Sequence, residues 1–169
     1  MKRLMEGRLT FEFPKGSVVS KYDGWAFYHN QFGKAFGGTK AVDFVYVDER
    51  QTWLIEVKDY RAYPRTKSDD IWKEVGLKVR DSLAGLVAAR SNANDPQEQT
   101  IARKALAKDE LRVVLHLEQP TKHSKLFPRV IDPSKVLAKM KQLLRGVDAH
   151  PCVVDQHSLK PEMSWTVTG

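Results

Sequence analysis

The amino-acid sequence predicts a mixed α/β fold, a central β-sheet flanked by helices, built as a single domain over residues 1–169. Two patterns point there. β-rich segments crowd the first part of the chain, and helical segments then alternate with single strands towards its end. Size and composition agree. A chain of 169 residues buries roughly 70% of its unfolded surface, and 41% hydrophobic with 29% charged residues is ordinary globular composition. No repeat, low-complexity tract or linker-like break divides it.

Taken in order, residues 9–13 alternate in polarity and stop at Pro14, and residues 17–22 form a second β-like stretch after the turn Lys15-Gly16. Residues 33–38 make a glycine-rich loop that lacks the Lys-Ser/Thr ending of a phosphate-binding P-loop, so it reads as a flexible entry to the next strand, with approach to a phosphate backbone as the lesser alternative. His29 and the aromatics Trp25, Phe27, Tyr28 and Phe32 are expected to fill core or cover an edge, with stacking on unpaired bases as the lesser alternative. Strands over residues 41–48 and 52–58 are joined by the polar link Asp48-Glu49-Arg50-Gln51 as a tight hairpin. Residues 68–90 then place Ile71, Trp72, Val75, Val79, Leu83, Leu86 and Val87 at helical spacing, with Ser68 as N-cap and Asp69 and Asp70 in the first turn. A more polar helix over 96–108, a central strand over 111–117, a loop over 120–128, a helix over 133–145 ending at Gly146 and a strand over 151–156 complete the order.

Composition excludes several classes. One cysteine, Cys152, rules out an internal disulfide framework and a Cys-rich zinc cage. No apolar run is long enough to span a bilayer, and the start lacks a secretory signal, so a cytoplasmic protein without membrane contact is expected. The formal charge of +7 and pI near 9.5 favour a polyanionic partner, nucleic acid first.

The chemistry is carried by the hairpin. Side chains two apart in a strand share a face, so Glu56 and Lys58 project together with Leu54, while Trp53, Ile55 and Val57 project to the other side. A hairpin centred between Glu49 and Arg50 sets Asp43 opposite Glu56. The remaining face, Val42, Phe44 and Tyr46 against Val57, Ile55 and Trp53, is wholly apolar and reads as the core face. Two facing carboxylates destabilise a sheet unless a cation lies between them; Lys58 or a divalent metal can supply one. A surface ion-pair cluster on a half-exposed sheet face is the plain alternative.

The pair Val42-Asp43 with Glu56-Val57-Lys58, on a β-hairpin followed by a long helix, resembles the PD-(D/E)XK (restriction-endonuclease-like) nuclease superfamily. The resemblance spans residues 9–118 and more loosely the rest, and it implies an αβββαβ core and hydrolysis of nucleic-acid phosphodiester bonds, DNA before RNA. It further implies that Asp43, Glu56 and the Val57 carbonyl ligate Mg²⁺ or Mn²⁺, with Lys58 orienting or activating the attacking water. Hard cations take such oxygen ligands. Val42 stands where the family has proline, and no N-terminal helix supplies the further acid many members carry; Glu6 and Glu12 are candidates. Arg61, Arg65 and Lys67 would lie near bound phosphates, and Lys78 on the following helix would assist, although solvated charge on an amphipathic face is the simpler reading for Lys73, Lys78 and Arg80. A homodimer or a place in a larger complex fits a nuclease that cuts two strands. The reading from a different class is a non-catalytic module of this fold that binds nucleic acid or a protein partner.

Two other patterns fail. His116-Leu117-Glu118 with Pro151-Cys152 imitates a zinc deaminase signature, but Asp155 stands where the second cysteine is needed. His150, Cys152 and His157 fall short of the four ligands of a structural zinc site.

Overall fold

The computed structural model describes residues 1–67, 69–122, 126 and 131–169. Its elements in chain order are β1 (Lys2–Glu6), β2 (Leu9–Phe13), β3 (Val18–Lys21), β4 (Phe44–Val47), β5 (Gln51–Asp59), α1 (Ile71–Asn92), α2 (Pro96–Leu106), β6 (Glu110–Glu118), α3 (Pro133–Leu144), β7 (Cys152–Val154) and β8 (Thr166–Thr168). A five-stranded mixed sheet runs β3-β4-β5-β6-β7. Its first three strands are antiparallel, and β6 and β7 add in parallel. Parallel neighbours need crossovers: α1 and α2 carry the chain from β5 to β6, and α3 carries it from β6 to β7. The fold is thus α/β, with helices packed on a mixed central sheet. Among the described residues no helix is long and apolar enough to cross a membrane.

Helix starts follow local chemistry. Asp95 and Asp132 cap α2 and α3, Asp95 accepting from the Gln97 and Glu98 N–H groups and Asp132 from that of Ser134, and each is followed by a proline whose missing donor costs nothing there. For α1 the N-cap position belongs to Asp70, without a side-chain cap bond. Ser68 lies outside the described residues, as do residues 123–125, 127 and 128 of the expected loop.

The hairpin register is the expected one, with Phe44 opposite Ile55 and Val47 opposite Thr52. The expectation of one apolar core face needs correction. Both faces of the sheet are buried: Phe44, Tyr46, Trp53, Ile55 and Val57 pack against β2 and β8, while Val45, Val47 and Leu54 pack beneath the three helices. Val42 precedes the ladder and packs on the helical side, not with Phe44 and Tyr46.

The cover on the first face is a three-stranded sheet, β1-β2-β8. β1 and β8 were not expected; Lys-Arg-Leu-Met-Glu and Thr-Val-Thr carry too little apolar alternation to announce themselves. Gly7, at a φ of 57°, turns β1 into β2. The leading helix of an αβββαβ order is not found among the described residues. The β1-β2 hairpin stands in its place, followed by short helical turns over Tyr22–Gly24, Tyr28–Phe32 and Ala35–Gly37. These turns bury Tyr22, Trp25, Phe27 and Phe32, whereas His29 is exposed and fills no core. Glu98 of α2 pins the segment by accepting from the backbone N–H groups of Ala26 (2.7 Å) and Phe27 (3.0 Å).

Candidate functional site

Residues 40–43 are stitched into place from two sides before β4 begins. On the α1 side, Asp81 Oδ2 accepts from the Lys40 N–H at 2.9 Å and Ser82 Oγ from the Val42 N–H at 3.0 Å. Towards β3, the Asp43 carbonyl accepts from the Tyr22 N–H at 2.9 Å. Asp43 Oδ2 then accepts from the Val57 N–H at 2.6 Å, which ties the two halves of the sequence motif together at the end of the hairpin. Asp43 is 6% exposed and Glu56 1%. The half-exposed sheet face of the plain alternative is therefore not what the structure holds; the carboxylates lie under α1.

Two lysines converge on Glu56. Its Oε1 receives Lys78 Nζ at 2.6 Å and Lys58 Nζ at 2.9 Å. Lys58 also reaches Glu74 Oε1 at 3.0 Å, and Glu74 binds Lys67 and Arg65, each at 3.0 Å. Glu74, Lys78 and Ser82 recur every fourth residue, so one stripe of α1 faces the site. Lys78 consequently belongs to a buried network, contrary to the simpler reading of it as a solvated charge. Lys73 and Arg80 do stay at the surface, paired with Asp70 and Asp81. Arg61 is not brought to the cluster: its guanidinium is held by Asp59 and the Gly169 carbonyl.

A second set of acids closes on Asp43. Carboxylate oxygens of Glu6, Asp23 and Asp43 lie within 4.8 Å of one another. Glu6 comes from the end of β1 and pairs with Lys21 at 2.7 Å, whereas Glu12 pairs with Arg3. Asp23 was missed, since an acid in a short turn looks like any loop residue; Glu74 was missed although its spacing from Lys78 marked it.

Electrostatics separate these groups. Burial, then the Glu56 charge, push Asp43 up to about 7, with Lys78 and the Val57 N–H opposing. Burial likewise raises Asp23. Burial disfavours the charged forms of Glu74 and Lys58 too, but their partners prevail: Glu74 is lowered to about 2 by Lys58, Lys67 and Arg65, and Lys58 is raised by Glu56 and Glu74. Lys58 is thus a held ammonium at neutral pH, suited to stabilising negative charge and not to accepting a proton.

Asp23 Oδ1 and Glu56 Oε2 are buried without a hydrogen-bond partner among the described residues. Such orphans are costly. The acids that group together among the described residues are Glu6, Asp23 and Asp43, without Glu56, and an all-oxygen donor set of that kind suits a hard divalent cation. Elsewhere, His116 is fully buried against Glu118 at 2.9 Å and contacts the Phe11 ring. His150, Cys152 and His157 do not converge among the described residues.

No protein-family profile matches the chain, and no solved structure matches it. The chain is similar to a cysteine–tRNA ligase of Neisseria meningitidis serogroup A, 35% identical in an alignment 167 positions long that covers 81% of this chain and 24% of the ligase. It therefore spans about a quarter of the length of that relative.

Proposed function

We propose that this chain is a metal-dependent nuclease of the PD-(D/E)XK type that hydrolyses phosphodiester bonds, DNA before RNA. The observation that carries the reading is the register that sets Asp43 beside Glu56 and Val57, with Lys58 and Lys78 on the same carboxylate. The order β3-β4-β5-α1-β6 supports the restriction-endonuclease-like core. Asp43, Glu56 and the Val57 carbonyl would hold Mg²⁺ or Mn²⁺, with Asp23 and Glu6 within reach of Asp43 as further ligands. A bound cation would supply Lewis-acid polarisation of the phosphoryl oxygen and an activated water. Lys58 places fixed positive charge where negative charge develops. Lys78 holds Glu56 in position. Arg65 and Lys67 fix Glu74, which in turn orients Lys58.

The test is cleavage of labelled duplex, branched and single-stranded DNA and RNA in Mg²⁺ or Mn²⁺. Wild type is expected to cut and to stop when the metal is chelated. Folded Glu56→Ala is expected to lose about a hundredfold or more, at least ~2.7 kcal/mol of transition-state stabilisation. Undiminished cutting by that variant, or cutting in chelator, overturns the reading.

A second reading has its own support. The segment shared with the ligase is a minor part of a longer protein whose name says that it acts on cysteine and tRNA. A non-catalytic module that binds nucleic acid within a larger assembly would match this. Salt-sensitive binding without metal dependence, and no cleavage of any substrate, is its signature.

A further inference from the structure

Phe36 is the most exposed large apolar side chain among the described residues, at 90%. It also holds a φ of 54°, a left-handed conformation that a bulky residue rarely takes and that glycine takes freely. Gly37 and Gly38 beside it are left-handed as well, at 81° and 118°. The ring therefore sits at a position where glycine would be less strained, and the core gains little from it. Among the aromatic rings of the described residues, Phe32 pairs with it edge-on, 6.2 Å away.

The loop that presents Phe36 is closed at its base. Thr39 donates its N–H to the Gly33 carbonyl and its hydroxyl to the Phe32 carbonyl, both at 2.9 Å, and Tyr28 Oη donates to the Thr39 carbonyl at 2.9 Å. The next residues are the ones bound to Asp81 and Ser82 of α1, which lead directly into Asp43. Seven residues of chain keep Phe36 within ~24 Å of Asp43. Lys34 and Lys40, both exposed, flank Phe36 in the sequence. An exposed aromatic between lysines is what a single strand needs: a π-face for an unpaired base and ammonium groups for the adjoining phosphates.

We infer that Phe36 is a stacking platform for an unpaired base of single-stranded DNA, with Lys34 and Lys40 on the flanking phosphates. A duplex keeps its bases stacked on each other and cannot use the ring. The inference rests on the nucleic-acid part of the proposed function and names its substrate class.

The experiment measures binding of labelled oligothymidylate, oligouridylate and duplex DNA in chelator, with thermal melting of each variant. Phe36→Gly relieves the left-handed φ, so it is expected to melt at or above the wild-type temperature. Its affinity for oligothymidylate is expected to fall by roughly five- to 150-fold, with duplex affinity unchanged. Phe36→Trp is expected to keep wild-type affinity and to show fluorescence quenching by oligothymidylate. The inference is overturned if Phe36→Gly binds within about twofold of wild type, if it loses duplex binding equally, if wild type binds only oligouridylate, or if the tryptophan is not quenched. Cleavage is scored separately in Mn²⁺. A protein that cuts nothing yet binds single strands through Phe36 loses the nuclease reading and keeps this one; one that cuts with Phe36→Gly unaffected in binding keeps only the former.

Discussion

Asp43 and Glu74 make opposite contributions to stability, and pH separates them. Asp43, raised to about 7 by burial and by Glu56, holds its proton more tightly folded than unfolded, where a carboxyl titrates near ~3.9. Its contribution is therefore favourable at low pH and is lost as pH rises from ~4 towards 7. In metal-free buffer Asp43→Asn, which still accepts from the Val57 N–H, is expected to stabilise the protein at neutral pH by roughly 2–4 kcal/mol. The gain should vanish below pH ~4 in urea titrations. A divalent cation should raise the wild-type melting temperature and leave that of Asp43→Asn nearly unchanged, because only a ligand bound by the folded state stabilises it. Glu74 runs the other way. Lowered to about 2 by Lys58, Lys67 and Arg65, it stabilises above its unfolded pKa, and that contribution fades as pH falls from ~4.5 towards 2. Glu74→Gln is expected to destabilise by roughly 1–3 kcal/mol at pH 7, since it leaves Lys58 and Arg65 without their shared anion, with the difference closing under acid in the same titration.

At the scale of the element, α1 is both a packing rod and the wall of the site. Its two glycines meet different neighbours. A Cβ at Gly85 would overlap Tyr22 Oη and come within 3.2 Å of Phe32 Cδ1, and the Tyr22 ring is fully buried and cannot swing clear. A Cβ at Gly76 would meet only the Leu143 side chain, which is half exposed on α3 and free to turn. Alanine gains about 1 kcal/mol in helix propensity over glycine, whereas overpacking costs about 1–3 kcal/mol. Gly76→Ala is thus expected to be neutral or stabilising, and Gly85→Ala to lower the melting temperature by several degrees, both read in one thermal scan. The helix itself was legible because Val75, Val79 and Leu86 repeat at its period. Its role was less so. Glu74 and Lys78 look like solvent charges in a polar stripe, and only the position of α1 over β5 makes that stripe the lining of a cluster. Asp43 and Glu56 were legible for the opposite reason, since carboxylates break the apolar alternation of their strands.

At the scale of the molecule, the second sheet shows why periodicity could not supply the whole architecture. A single buried face predicts alternation, but β4 and β5 are covered on both sides, by helices on one and by β1, β2 and β8 on the other. Three-residue β8 and polar β1 carry no pattern, so their place depends on long-range contacts that close only when the chain has folded. Net charge, in contrast, is a property of the whole sequence. Within the cluster, Glu6, Asp23, Asp43, Glu56 and Glu74 face Lys21, Lys58, Lys78, Arg65 and Lys67, so the formal charges of acids and bases balance locally. The excess of +7 therefore resides outside the site, on surface available to a polyanion. Binding of DNA in chelator is expected to weaken about tenfold or more between ~50 and 200 mM salt, as counterion release requires for even a few phosphate contacts. Glu56→Ala should follow the same slope, because removing a buried acid leaves the surface cations in place. Affinity that ignores salt would show that the excess charge serves some other purpose. A slope that flattens in Glu56→Ala would place the phosphate contacts at the carboxylate cluster itself.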